Sequence, residues 1–153
     1  MLVSVSWRSL PEEVFDNPTG WVRDHIRRYV ESGGRRGHRF NGRESLLITT
    51  RGRRSGRLRR TALYYGRDGE RYVLVATAVR DGEDPSWYLN VLESPAVVLQ
   101  VGADSFAGLA RPAAADERGR LWDLMVGVFP KYAAYERESG RPLPVVVVRR
   151  VAS

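Results

Sequence analysis

The sequence predicts a mainly antiparallel α+β domain of about six strands with flanking helices, and three observations carry that prediction. Six short apolar runs are rich in β-branched and aromatic residues. Helical periodicity is confined to stretches near the start, middle and end, so strands do not alternate with helices as a parallel sheet requires. Several runs are joined by glycine- and aspartate-containing turns short enough for hairpins. A chain of 153 residues suits one domain, 1–153, with residues 1–18 as an N-terminal extension free to move. A closed or half-closed barrel suits such strands, because it leaves few open edges and offers a crevice at its rim for a flat ligand.

The first element is a helix over Thr19–Ser32. Asn17-Pro18 offers a cap followed by proline, Val22, Ile26, Tyr29 and Val30 with His25 follow helical spacing, and Gly33-Gly34 stops it. Ser45–Thr50 and Thr61–Tyr65 read as strands joined by a long cationic loop of ten residues. Gly66-Arg67-Asp68-Gly69 is a turn signal between Leu63-Tyr64-Tyr65 and Tyr72–Ala76, which predicts a second hairpin. Asp84-Pro85 repeats the cap-then-proline pattern ahead of a short helix, Pro85–Glu93, ended by Ser94-Pro95. Ala96–Val101 and Ser105–Arg111 alternate as two strands across Gly102-Ala103-Asp104. Asp116–Val128 places Leu121, Leu124, Met125 and Val128 on one helix face with Trp122 beside them, and Val145–Val148 is a last strand.

Composition removes several kinds of chemistry. The chain has no cysteine, no HExxH and no clustered carboxylate pattern, so no metal site is expected; Asp81, Glu83 and Asp84 read as a solvated turn and a helix cap. The two histidines, His25 and His38, lie in or just after the first helix, and no serine sits in a nucleophile-elbow pattern, which excludes a hydrolase triad. Gly52-Arg53-Arg54-Ser55-Gly56 lacks the Gly-Lys-Ser/Thr ending of a P-loop. An enzyme built this way takes its hard chemistry from a bound cofactor. No stretch approaches the roughly 20 apolar residues that span a bilayer, and no secretory signal opens the chain, so a cytoplasmic location is expected. Arg23, Arg27 and Arg28 flank the apolar face of the first helix, which leaves peripheral membrane contact open.

Charge is concentrated rather than spread. Residues 35–60 hold ten arginines and one acid, Glu44, a local balance of +9 against +7 for the whole chain, so the remainder is slightly acidic. Within Thr49–Leu63, glycines let backbone amides turn toward an anion, Ser55 adds a hydroxyl, and Arg53, Arg54 and Arg59 add charge-assisted donors. Such a loop is a phosphate and carboxylate cradle, or a solvated basic hairpin, or a non-specific RNA contact.

This segment resembles the deazaflavin-dependent nitroreductase and quinone reductase family, whose pattern runs Thr-Thr-x-Gly-Arg-Lys-Ser-Gly, then an arginine and Pro-Leu. Arg54 replaces the lysine and Ala62 the proline. The resemblance continues through Asp68-Gly69 and Val75-Ala76-Thr77 to Pro85-Ser86-Trp87-Tyr88-Leu89-Asn90-Val91-Leu92, then Ser94-Pro95, Tyr132 and Tyr135, and Arg141-Pro142-Leu143-Pro144. Four blocks in order over Phe40–Val148 make it specific.

The resemblance implies a split β-barrel of the FMN-binding-like kind that binds coenzyme F420, a 5-deazaflavin with a phosphate and an oligoglutamate tail. Arg53, Arg54, Ser55, Gly56 and Arg59 would take the phosphate and tail. Val75, Ala76, Thr77 and Ala78 would lie against the deazaflavin ring, with Trp87 nearby. Tyr132 and Tyr135, three apart, would share a helix face and act on an electron-poor acceptor such as a quinone or nitroaromatic, Tyr132 orienting it or aiding its protonation. The resemblance thus implies an F420H2-dependent reductase. Val79-Arg80 and Asp84 stand where relatives often have Gly-Gly and a histidine, which predicts an altered acceptor preference.

Other readings stay open at this point: an F420 carrier without turnover, an FMN protein on the same barrel, and a basic RNA-binding module. The arginine excess favours a polyanionic cofactor tail over FMN, and no nucleic-acid partner is expected. Split barrels often pair, so a homodimer is compatible with the sequence.

Overall fold

In the computed structural model of the chain, residues 12–77 and 82–151 are described. Their elements are β1 (Val14–Asp16), α1 (Gly20–Glu31), β2 (Arg39–Phe40), β3 (Arg43–Arg51), β4 (Leu58–Tyr64), β5 (Gly66–Asp68), β6 (Arg71–Val75), α2 (Ser86–Glu93), β7 (Ala96–Val101), β8 (Asp104–Pro112), α3 (Ala115–Val128), α4 (Lys131–Ser139) and β9 (Val145–Arg150).

The strands pair in the order β1-β4-β3-β7-β8-β9-β6-β5, with β2 on β3. β4 and β5 are one strip of chain interrupted only at Tyr65, so the path leaves that strip through β3 and returns to it through β6. Six strips thus close a ring, and every pair in it is antiparallel. Strand alternation sorts the side chains. Leu46, Ile48, Leu74, Val97, Leu99, Val146 and Val148 fill the interior. Their neighbours Val73, Val75, Val145 and Val147 point outward, under Leu121 and Met125 of α3 and Tyr132 of α4. On the other flank Val22, Ile26 and Tyr29 of α1 cover Leu47. Burying side chains of this size stabilises by roughly 1.5–3 kcal/mol each.

Several expected boundaries move, each for a physical reason. The cationic loop shrinks from ten residues to 52–57, because Thr49, Thr50 and Arg51 pair with Arg60, Arg59 and Leu58. The second hairpin turns at Gly69-Glu70, with Asp68 facing Arg71, and not over Gly66–Gly69. Gly66 answers to packing instead: a Cβ there would lie 2.8 Å from Met125 Sδ, so the glycine lets α3 approach the barrel. Asn17 accepts from the Thr19 N–H at 3.0 Å and Thr19 takes the cap position of α1. Among the described residues Asp84 does not cap α2, whose cap position is Pro85; it pairs with Arg141 at 2.8 Å, tying the start of α2 to the segment before β9. Val30 lies off the buried face of α1 and is exposed.

The N-terminal extension is tied down from Val14, since Val14, Phe15 and Asp16 pair in parallel with Leu58, Arg59 and Arg60. The tyrosine pair lies on a helix of its own, α4, which ends at Gly140 in the left-handed conformation, φ 74°. Arg118 joins α4 to α3 through Glu136 at 3.2 Å.

Candidate active site

One mouth of the barrel is built from the end of β3, the start of β4 and the N-terminal turn of α2. Thr50, Arg59 and Thr61 stand on the strand face that carries Ile48 and Leu63 into the interior, so the pleat directs them into this mouth. The 52–57 loop folds beside it, with Gly52 donating to Arg57 O at 2.8 Å and Gly56 donating to Gly52 O at 2.9 Å. Gly56 needs its positive φ of 73° for this turn. The resulting cleft is about 500 Å³, within the range of small-molecule and cofactor sites. Arg53, Arg54, Ser55 and Arg59 line it together with Trp87, Asn90, Phe15, Asp16 and Arg60.

The loop is held by a polar residue of α2. Asn90, 3% exposed, accepts at Oδ1 from the Arg53 backbone N–H and from Arg53 Nη1, both at 3.1 Å, and donates from Nδ2 to Thr50 Oγ1 at 3.0 Å. A buried amide with both ends engaged fixes loop, strand and helix relative to one another. The other arginines of the loop divide clearly. Arg51 pairs with Glu12, Arg57 lies 4.9 Å over the Phe15 ring, and Arg60 donates to Asp16 at 2.6 Å. Among the described residues Arg54 and Arg59 form no ion pair, which leaves them, with Arg53, to face an anion.

The structure thus gathers five expected site residues, Arg53, Arg54, Ser55, Arg59 and Trp87, on one cleft. Gly56 shapes the loop without lining the cleft. Val75, Ala76 and Thr77 do not line the cleft: Val75 points outward under α3 and α4, Ala76 is buried in the interior and donates to Pro144 O at 3.0 Å, and Thr77 is half-buried. Ala78, Val79 and Arg80 lie outside the described residues. Trp87 is 7% exposed and belongs to the barrel core as well as to the cleft wall.

Tyr132 and Tyr135 do not line the cleft. Tyr132 is 5% exposed, its ring 5.0 Å from Phe129, which in turn lies 5.1 Å from Tyr64. Burial pushes its phenol well above the ordinary tyrosine range. Tyr135 is 38% exposed, with Phe129 6.1 Å away. Tyr64 faces Ser45, five positions along β3 from the Thr50–Arg59 pair, or roughly 17 Å of strand.

Asn90, Thr50, Phe15 and Asp16 were not singled out from the sequence. Asn90 did leave a signal: it follows Trp87 at helical spacing, so it is a polar residue on a face that must be buried.

Comparison with known proteins names this arrangement. The profile of the F420H(2)-dependent quinone reductase family matches residues 21–150. The chain belongs to that family. An F420H(2)-dependent quinone reductase of Mycobacterium tuberculosis strain H37Rv is 36% identical over 133 residues, 84% of this chain and 89% of the relative. The solved structure of an F420-H2 dependent reductase superposes with a TM-score of 0.62 at 34% identity, covering 69% of this chain and 93% of that one. A structure described as a domain-swapped dimer gives 0.65 at 34% identity, over 87% and 100%. A heme storage protein of Vibrio cholerae, at 12% identity and 0.55 over 86% and 92%, shares the fold alone. The ring is thus the split barrel of the FMN-binding-like kind, and the family is one of F420-dependent oxidoreductases.

Proposed function

We propose that this quinone reductase family member binds F420 in the arginine-lined cleft and directs its hydride to a quinone. The observation that supports this most is the convergence of Arg53, Arg54 and Arg59, unpaired with acids among the described residues, on a cleft walled by Trp87. A phosphate and carboxylate tail fits that donor set, since guanidinium groups grip such anions through charge-assisted hydrogen bonds. Ser55 adds a hydroxyl, and Asn90 holds the Arg53 amide and side chain in place. In this reading the ring lies toward Trp87 and the strand end at Val75–Thr77. The reduced deazaflavin supplies the hydride; the chain supplies orientation and charge.

Nitroaromatics are a further acceptor class in this reading. The tyrosine pair lies off the cleft, so the role left to Tyr135, whose ring is partly open, is to hold the part of an acceptor that extends away from the deazaflavin, while Tyr132 positions α4 against Phe129. Tyr135→Ala is expected to raise KM for a quinone with a long side chain, with KM for menadione and the F420 affinity unchanged, whereas Tyr132→Phe moves none of these. A homodimer is supported by the domain-swapped relative and is read by light scattering. Contact with a membrane surface is supported by Trp21, 64% exposed on α1 beside Arg23, Arg27 and Arg28. Among the described residues no helix is long and apolar enough to cross a membrane.

The deciding experiment titrates the purified protein with F420 and FMN and then adds menadione to the reduced F420 complex. Saturable F420 binding with menadione-dependent oxidation is the expected result. Binding without oxidation would make the protein a carrier, and absence of F420 binding would overturn the reading.

A further inference from the structure

The family match begins at residue 21, yet one wall of the cleft lies ahead of it: Phe15, Asp16, Asn17 and Pro18 all line the cavity. This wall is built rather than incidental. β1 runs parallel to β4 over three residues, and Asn17 extends the contact by donating its backbone N–H to Arg60 O at 2.9 Å and its side-chain amide to Thr61 Oγ1 at 3.2 Å. Its side chains meet arginines in succession. Asp16 accepts from Arg60 Nε at 2.6 Å and Nη2 at 3.3 Å, a two-point contact with both groups about three-quarters buried. Phe15 covers Arg57 at 4.9 Å, and Glu12 pairs with Arg51 through Nη2 at 3.1 Å.

On the reading that the cleft holds F420, we propose that β1 sets which F420 is bound: Asp16 cancels Arg60, confines anion recognition to Arg53, Arg54 and Arg59, and favours a short anionic tail over a long polyglutamate one. The physical basis is a difference in what the two tails must pass. A phosphate with one or a few carboxylates is matched by the three guanidinium groups of Arg53, Arg54 and Arg59, which have no acid partner among the described residues. Each further carboxylate runs along a wall whose arginines already hold the chain's own acids or an aromatic ring, and it must compete with Asp16 or Glu12 for them. Asp16 and Glu12 neutralise Arg60 and Arg51, and Arg57, which has no acid partner among the described residues, is held against the Phe15 ring, so this wall adds little attraction for further carboxylates.

The test uses the full chain, its Asp16→Asn variant and the Asp16→Asn/Arg60→Gln double variant. Each is titrated with oxidised F420 carrying short and long oligoglutamate tails, followed by the cofactor's fluorescence at low ionic strength. The unaltered chain is expected to bind the short-tailed form at least as tightly. Asp16→Asn should tighten the long-tailed form by about threefold to tenfold and the short-tailed form by less than about twofold, the range expected when one partly buried pair is released. That gain should vanish in the double variant. Equal gains for both tails, or none, would overturn the inference while leaving F420 binding intact. If the unaltered chain binds neither form, the F420 reading itself fails and this inference falls with it. Should Asp16→Asn not fold, Glu12→Gln loosens the same strand from beyond the cleft and is expected to shift preference toward the long tail in the same direction; an unchanged preference there would count against the inference.

Discussion

The two mouths of the barrel use arginine in opposite ways. At the cleft, Arg53, Arg54 and Arg59 stand among a buried amide, a hydroxyl and a tryptophan edge, with their charge directed at solvent or a ligand. At the far mouth, arginines lie on aromatic faces: Arg67 is 4.2 Å over Tyr72, Arg150 4.4 Å over Phe106, and Arg43 4.9 Å over Phe129. Beneath them Tyr65, Tyr72 and Phe106 pack ring against ring at 5.7 and 5.5 Å and fill the interior. One mouth is a receptor and the other a plug. The difference comes from what surrounds the guanidinium, because its planar face stacks on a ring while its edge grips an anion.

If that contrast is right, damage to each mouth has a separate signature. The largest effect is expected from Phe106→Ala, which opens the plug: about 3–5 kcal/mol of stability should be lost in urea unfolding, with F420 affinity of the folded fraction preserved. Arg54→Ala/Arg59→Ala should do the reverse, weakening F420 roughly a hundredfold by fluorescence titration while the unfolding midpoint hardly moves. Equal stability losses in the two variants would erase the distinction. Asn90→Ala couples the two properties, because it strips the Arg53 N–H and Thr50 Oγ1 of a partner; about 1–3 kcal/mol of stability and several-fold in affinity should go together.

The smallest effect concerns pH and belongs to the plugged side. His25 lies on the buried face of α1 beside Ser45 Oγ, and burial, reinforced by the Arg28 charge, lowers its pKa from 6.5. In the pH interval below 6.5 the unfolded chain takes up a proton that the fold resists, so stability is full above that value and declines as pH falls through it. Urea midpoints on either side of that pH should show the decline, and His25→Gln should flatten it. Cofactor affinity at the opposite mouth should not follow the same curve.

The sequence made the cleft partly legible because its cations are contiguous: Arg53, Arg54, Ser55 and Arg59 fall within seven positions and needed only one loop to bring them together. Its supports were not legible, because they come from afar. Asn90 is 37 positions from Arg53, and Asp16 is 44 from Arg60. In the fold, Val145–Val148 and Tyr72–Val75 were readable as strand from their β-branched and aromatic residues. That these two runs pair with each other, and so complete the ring, was not, because register between distant strands is written only in tertiary packing. Gly66 misled for the same reason: its lack of a side chain serves Met125 rather than a turn.

The position of β9 gives the barrel a particular order of completion. It sits between β8 and β6, the one joined to it through α3 and α4 and the other about seventy positions upstream. During synthesis, therefore, β6 and β8 emerge from the ribosome long before the strand that separates them, each with an unsatisfied edge. Any chain that stops short of Val145 keeps both edges open and is primed to borrow the missing strand from a neighbour.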